Sequence, residues 1–370
     1  MTTNAATIPT DASTHPDKYH VVRDPDEVRE AFRRVDEFVP TNALTSVVPL
    51  SMATLRVLSR ARFTLPPVLA SATGDRHRTV RRMVAAFFTP AKVAAVGPRV
   101  TELTRERCKT AAAALGSGPI DLADIIGRHI PPVIMQELTG FDCPDLMLLK
   151  RWSRHSLELF WGWPDEERQL RLATSAVEFY AWLRTTVAAS KGGDSLFGVL
   201  DAAGLSTPEI CSLGYFLVIA GQETTAQLIN IAFYRALQNR ALWHELSRGA
   251  SAAAFVRGVL ASESSVHTWR RVMARDSTLG GVDLPAGAEI LLELSGHHPA
   301  DAAPTAYSLA FGQGLHRCLG AKLAELETIT VLEETARAFP TLVLAEPDPE
   351  WIRLLSFQTP KTVMAALAPA

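Results

Sequence analysis

The chain lacks any pair of closely spaced cysteines. Its four, Cys108, Cys143, Cys211 and Cys318, are scattered, and without a Cys-x-x-Cys spacing neither a zinc module nor a disulfide scaffold is expected from them. It also lacks a charge excess. With 37 Lys and Arg against 39 Asp and Glu, the formal net charge is -2, so neither nucleic acid nor an anionic membrane surface is expected as a partner. Long apolar runs are missing too: Leu213 to Ala220 falls well short of the about 20 residues of a membrane span. The polar stretch 1–17 has no basic-then-apolar order of a secretory signal and reads as a disordered tail. These absences leave a cytoplasmic protein with a small-molecule partner as the expectation.

What is present is enough apolar residue, 47% of 370, to bury a large core. Apolar positions recur at three- and four-residue steps between Pro and Gly punctuation, which predicts helices over 93–115, 132–138, 170–188, 208–237 and 319–339. Strand-like pieces are few and late: 271–274, then a Leu279-Gly280-Gly281 turn, then 290–292. The fold class is therefore mainly α with a small β-sheet. Neither a repeat nor a convincing linker interrupts the pattern, although 191–195 is the most flexible-looking connection, so one domain over 18–370 is expected.

The most informative segment is Phe311-Gly312-Gln313-Gly314-Leu315-His316-Arg317-Cys318-Leu319-Gly320, followed by a helical pattern through Leu323, Leu326, Ile329 and Leu332. Cys318 then sits on a glycine-rich turn at a helix start, where backbone N–H groups lower a thiol's pKa and hydrogen-bond the thiolate. Such a sulfur suits haem iron; the plain alternative is a buried cysteine after a structural turn. A second element, Ala220-Gly221-Gln222-Glu223-Thr224-Thr225, places an acid and hydroxyls inside an apolar helix, which is costly unless they are bonded or used. In a functional reading Gly221 leaves room for a ligand, Thr224 donates to bound oxygen and Glu223 feeds protons through water. In the plain one the helix simply satisfies its own polar kink. A third, Asp75-Arg76-His77-Arg78-Thr79-Val80-Arg81-Arg82, puts His77 and Arg81 on one helix face, either to meet carboxylates or as a basic surface stripe.

Together these segments resemble the cytochrome P450 family, whose Phe-Gly-x-Gly-x-His-x-Cys-x-Gly signature is matched at every fixed position. The resemblance covers residue 19 to the end, in family order and N-terminally trimmed. It implies haem b (iron protoporphyrin IX) held by Cys318 as metal ligand, in a loop with Phe311, Gly312 and Gly320. It implies Ala220 and Gly221 against the haem, Glu223 and Thr224 as the acid and alcohol of oxygen activation, and propionate contacts from His77, Arg81, His316 and Arg271. Arg271 is selected by counting back from the Leu-Gly-Gly turn; Arg270 and Arg275 are expected to be solvated or structural.

The family pattern fails in two places. Glu-x-x-Arg is replaced in register by Arg257-Gly258-Val259-Leu260-Ala261-Ser262, with both its charged residues absent, and Glu245 to Arg248 matches it only in what resembles the preceding helix. The stretch between Gly296 and Phe311 is shorter than the family meander and lacks its arginine. Losing one member of a buried charge network costs roughly 3 to 5 kcal/mol, whereas losing all of them together is tolerable. The implied activity is a monooxygenase that hydroxylates, epoxidises or couples an apolar or aromatic molecule of secondary metabolism, free or tethered to a carrier protein, with ferredoxin and ferredoxin reductase supplying electrons near Arg317 and Lys322. Two further readings stay open: a haem-poor auxiliary protein that activates a partner such as a glycosyltransferase, and a peroxide-driven haem enzyme. Pocket walls are sought in 63–69, Phe160, Trp161, Trp163, Val218, 266–269 and Phe357.

Overall fold

The computed structural model describes residues 18–143, 145–296 and 306–368. The tail expected at 1–17 and most of the shortened stretch before Phe311 lie outside the described residues. The helices are α1 (Pro25–Arg33), α2 (Met52–Arg60), α3 (Gly74–Ala85), α4 (Pro90–Ala95), α5 (Gly97–Leu115), α6 (Ile130–Thr139), α7 (Leu146–Trp161), α8 (Glu166–Ala189), α9 (Leu196–Ala202), α10 (Thr207–Gln238), α11 (Arg240–Ser247), α12 (Ala253–Glu263) and α13 (Ala321–Ala338). The strands are β1 (Tyr19–Val22), β2 (Phe38–Val39), β3 (Ile120–Asp121), β4 (Thr268–Met273), β5 (Ser277–Leu279), β6 (Val282–Leu284), β7 (Glu289–Glu293), β8 (Leu342–Leu344), β9 (Trp351–Arg353), β10 (Gln358–Pro360) and β11 (Met364–Leu367). Among the described residues no helix is long and apolar enough to cross a membrane.

Local sequence explains where the key helices begin and end. Ser206 and Glu209 form a capping box ahead of α10, with Pro208 in its first turn, so the first orphan N–H groups are satisfied and the helix starts there. Its side chains are then buried nearly all round, from Ile210 to Leu237, which is the mark of a helix at the centre of a core. It packs against α6, α7, α8 and α13. The helix expected over 93–115 is two, because Gly97 and Pro98 open α5 and a proline cannot donate the N–H that would continue α4. The remaining predicted helices correspond to α6, α8, α10 and α13, with ends shifted by a few residues.

The main sheet has the order β1-β7-β4-β2, with β1 parallel to β7 and the other pairs antiparallel. A hairpin joins β5 to β6 through Gly280 and Gly281, whose φ values of 57° and 78° are left-handed and favour glycine. Alternation along β4 sorts its side chains: Trp269 and Arg271 face a large cavity, while Arg270 points the other way, donating to Thr45 O at 2.7 Å and lying over the Trp161 ring. Arg270 is thus buried structure and not solvated; Arg275 pairs with Glu37 at 3.1 Å.

In the register of the missing Glu-x-x-Arg, Leu260 is 1% exposed and lines the cavity. The anchor of α12 is elsewhere. Glu263 at its end takes a two-pronged ion pair from Arg235 of α10, at 2.6 and 2.8 Å, and Glu333 of α13 accepts from the Ala252 N–H at 3.0 Å. Replacing Glu263 by Gln leaves Arg235 without its fork partner, and we expect a loss of about 1 to 3 kcal/mol, below the fully buried limit because Arg235 is partly solvated. Thermal unfolding reads the loss, and the double variant Arg235→Leu/Glu263→Leu should recover part of it.

Candidate active site

A cavity of ≈ 230 Å³ lies between the middle of α10, the start of α13, α3 and β4. The glycine loop forms its floor. Cys318 N–H donates to Phe311 O at 2.7 Å, closing the loop on itself, and Gly312 and Gly314 both adopt φ of 65°. Cys318 stands at the mouth of α13, exposed, with its surface opening into the cavity. Burial raises its thiol pKa, while the Gly320 N–H, Arg81 and Arg317 pull it down. A thiol so placed is ready to ionise once a metal binds it.

Basic groups converge beside that sulfur. Arg271 is 1% exposed; its guanidinium donates to Arg270 O at 2.8 Å and lies over the Phe32 ring, and burial lowers its pKa to about 10. Arg81 donates to Arg317 O. His316 is held by Ala72 O at 2.8 Å, and burial, with Arg271 close by, lowers its pKa to about 4. His77 is completely buried, 4.9 Å from the His316 ring between centroids, and both its nitrogens lack a partner. Among the described residues no acidic one lines this cavity.

The α10 side is split by the helix itself. Ala220, Gly221, Thr224 and Thr225 line the cavity, and a Cβ at Gly221 would push the flexible end of the Met135 side chain aside. The Thr224 hydroxyl donates to Ala220 O at 2.6 Å, the self-satisfied bond of the plain reading. Glu223 is buried but does not line the cavity. It turns towards α7, where Gln222 also bonds Ser153 at 2.7 Å. Burial raises the Glu223 pKa against the pull of Arg154, Lys150 and Arg128. Lys150, 4% exposed, is lowered to about 7 by the same burial.

These residues fit an iron porphyrin. Among the described residues no cluster of three His, Cys, Asp or Glu could hold a metal, so a metal at Cys318 needs a chelate brought with it. A haem brings four nitrogen ligands, a largely apolar ring for apolar walls, and two carboxylates for His77, Arg81, Arg271 and His316.

No family model matches the chain. It is 28% identical over 311 residues to cytochrome P450 monooxygenase PikC of Streptomyces venezuelae, covering 78% of this chain and 72% of that one. Its fold matches cytochrome P450 CREJ, solved with (4-ethylphenyl) dihydrogen phosphate, at a TM-score of 0.89 and 27% identity over 95% and 92% of the two chains. This chain belongs to the cytochrome P450 family. It is a P450-type monooxygenase, an oxidoreductase with haem b as cofactor. At 19% identity and a TM-score of 0.80, over 97% of each chain, the fold also matches P450BioI in complex with an acyl carrier protein ligated to hexadec-9Z-enoic acid.

Of the site residues expected from sequence, the structure brings His77, Arg81, Ala220, Gly221, Thr224, Arg271, Phe311, Gly312, His316, Cys318 and Gly320 to one cavity of this P450 and leaves Glu223 behind it. The wall candidates divide: Val68, Leu69, Val266, Trp269 and Phe357 line the cavity, whereas Phe63, Phe160, Trp161, Trp163 and Val218 do not. Phe63 and Phe160 instead pack into an aromatic cluster with Tyr215. Two buried ionisable groups were missed, Lys150 and Glu327; a charge at an apolar helical position was the signal in both.

Glu327 on α13 is fully buried with neither oxygen bonded, and burial pushes its carboxyl well above the usual range. In the window between the unfolded value near 4.5 and that raised value, the folded state holds a proton that the unfolded state has lost, so stability falls as pH rises. Glu327→Leu should therefore stabilise, by roughly 1 to 3 kcal/mol at pH 8 and by less at pH 5. Melting temperatures at the two pH values decide it; an equal gain at both would refute the protonated assignment.

Proposed function

We propose that residues 18–370 act as one haem-thiolate unit in the cytoplasm, with Cys318 as the iron ligand, and that the enzyme oxidises a neutral, largely apolar molecule of secondary metabolism. The observation that carries this reading is the distribution of charge around one cavity: a thiol and basic groups at one end, no carboxylate among the described lining residues, and apolar walls elsewhere. Leu213, Phe216, Leu217, Val266, Trp269 and Phe357 build those walls, with serine hydroxyls at Ser212, Ser264 and Ser265. A substrate with a fixed charge finds no partner there, and an unpaired charge is costly to desolvate. Hydroxylation, epoxidation and oxidative coupling all suit such a site. Whether the substrate arrives free or tethered is decided at the surface, not in the cavity.

When bound, haem supplies the iron chemistry that activates dioxygen and transfers an oxygen atom or an oxidising equivalent to the substrate. His77, Arg81, Arg271 and His316 hold its carboxylates, Phe311 and Gly312 pack its sulfur side, and the Gly320 N–H hydrogen-bonds the thiolate. Gly221 keeps the opposite side clear. Thr224 presents its hydroxyl oxygen to the cavity and releases the Ala220 carbonyl when its proton is needed. Glu223, kept protonated by burial, is the proton store behind it, and Lys150 with the solvent-exposed Arg154 links that store to the surface. Ferredoxin, reduced by its reductase, docks over the exposed Arg317 and Lys322, on the Cys318 side.

The reduced protein under carbon monoxide should show the strongly red-shifted Soret band of thiolate-ligated haem; a colourless protein that resists reconstitution would refute this reading. Thr224→Ala should lower product formed per oxygen consumed by about a hundredfold, at the low end of the ~10²–10⁴ span of general acid–base catalysis. Unchanged coupling would remove Thr224 from the mechanism and favour the peroxide-driven alternative. Glu223→Gln should slow turnover while leaving the Soret band in place.

A further inference from the structure

Between Glu37 and Asp75 the sequence contains no acidic residue, but it contains Arg56, Arg60 and Arg62. All three are exposed, and among the described residues none of their side chains makes an ion pair. Met52 and Leu55, 65% and 44% exposed, occupy the same outer face of α2 as Arg56 and Arg60, at helical steps of three and four. Arg184 of α8 joins them. It lies one turn beyond Tyr180, which packs on Phe63 with ring centroids 5.1 Å apart and takes a backbone hydrogen bond from Thr64, and it too is exposed and makes no ion pair among the described residues. The result is four uncompensated guanidiniums around two exposed apolar side chains.

The patch adjoins the substrate end of the cavity. The chain that leaves α2 runs directly into Val68, Leu69 and Ala70 of the cavity wall, and Ser212 of α10 fastens it by donating to Pro66 O at 2.8 Å. From Ser212 to Thr224 is about 18 Å along the helix, at 1.5 Å per residue. An electron donor has no use for this end, because the sulfur lies at the start of α13. An acidic partner here would deal with substrate.

We propose that the outer face of α2, with Arg62 and Arg184, docks an acidic carrier protein that presents the substrate as a phosphopantetheine thioester past the 63–70 segment. Arginine suits such a surface because its weakly hydrated fork pairs with carboxylates at low desolvation cost, and Met52 and Leu55 supply the apolar centre that interfaces of modest size require. The proposal rests on the monooxygenase reading and adds the mode of substrate delivery.

The test uses the haem-loaded enzyme and a fluorescently labelled acyl carrier protein bearing a phenylacetyl thioester on its phosphopantetheine. Fluorescence anisotropy should show saturable binding that weakens with added salt. Binding should fall at least tenfold in Arg56→Glu/Arg60→Glu and in Arg184→Glu, while an imidazole titration of the Soret band is unchanged in both variants. Absence of saturable binding, equal affinity of the variants, or capture by phosphatidylglycerol vesicles in place of the carrier would overturn the proposal. Loss of the imidazole response in the unsubstituted enzyme would count against the haem reading instead, since anisotropy reports docking without it.

Discussion

A guanidinium taken out of water demands an anion, and among the described residues Arg271 has none. Its donors reach a neighbouring carbonyl and an aromatic face, and the fully buried His77 beside it leaves both nitrogens unmatched. The desolvation cost of an isolated buried ion is several kcal/mol, which a folded protein of marginal stability tolerates only where a bound partner returns it. The carboxylates of haem are such a partner. Because Arg271, His77 and His316 come from β4, α3 and the glycine loop, holding one cofactor ties three distant parts of the chain into one arrangement.

The central helix separates two polarities by rotation alone. Successive residues on an α-helix turn through about 100°, and the step from Glu223 to Thr224 crosses the edge of the cavity face: Thr224 and Thr225 line the cavity, while Glu223 lies outside it, towards α7. That keeps a second acid away from the substrate, where it would attract cations. It also places the carboxyl among Lys150, Arg154 and Arg128, whose field opposes the burial that keeps it protonated. Since Lys150 is itself drawn down to about 7, its proton can move at small cost near neutral pH.

Short-range chemistry was the legible part of this protein. The loop from Phe311 to Gly320 needs only its own glycines and the helix that follows, so ten residues specify it. Arg271 was found by counting from a hairpin turn, which fixes strand register. What sequence left open depended on which way a side chain turned. Phe160 and Trp161 read equally well as pocket wall and as core, and packing against Tyr215 and Phe357 settled them as core. The self-bonded hydroxyl of Thr224 was likewise open, because a threonine in a helix can bond its own backbone or something beyond it.

The absent charge network shows how the fold survives without a family feature. The segment 257–262 carries neither charge of the missing motif, and its buried Leu260 meets the cavity as an apolar side chain with no desolvation cost. Replacing a whole buried ionic group by packed hydrophobic residues is often neutral or favourable, whereas removing one member is not. Such a site therefore passes between its charged and apolar versions only as a unit. Once passed, α12 needs a different tether, and Glu263 provides it at the helix end, where Arg235 remains partly solvated and the pair avoids the full cost of burial.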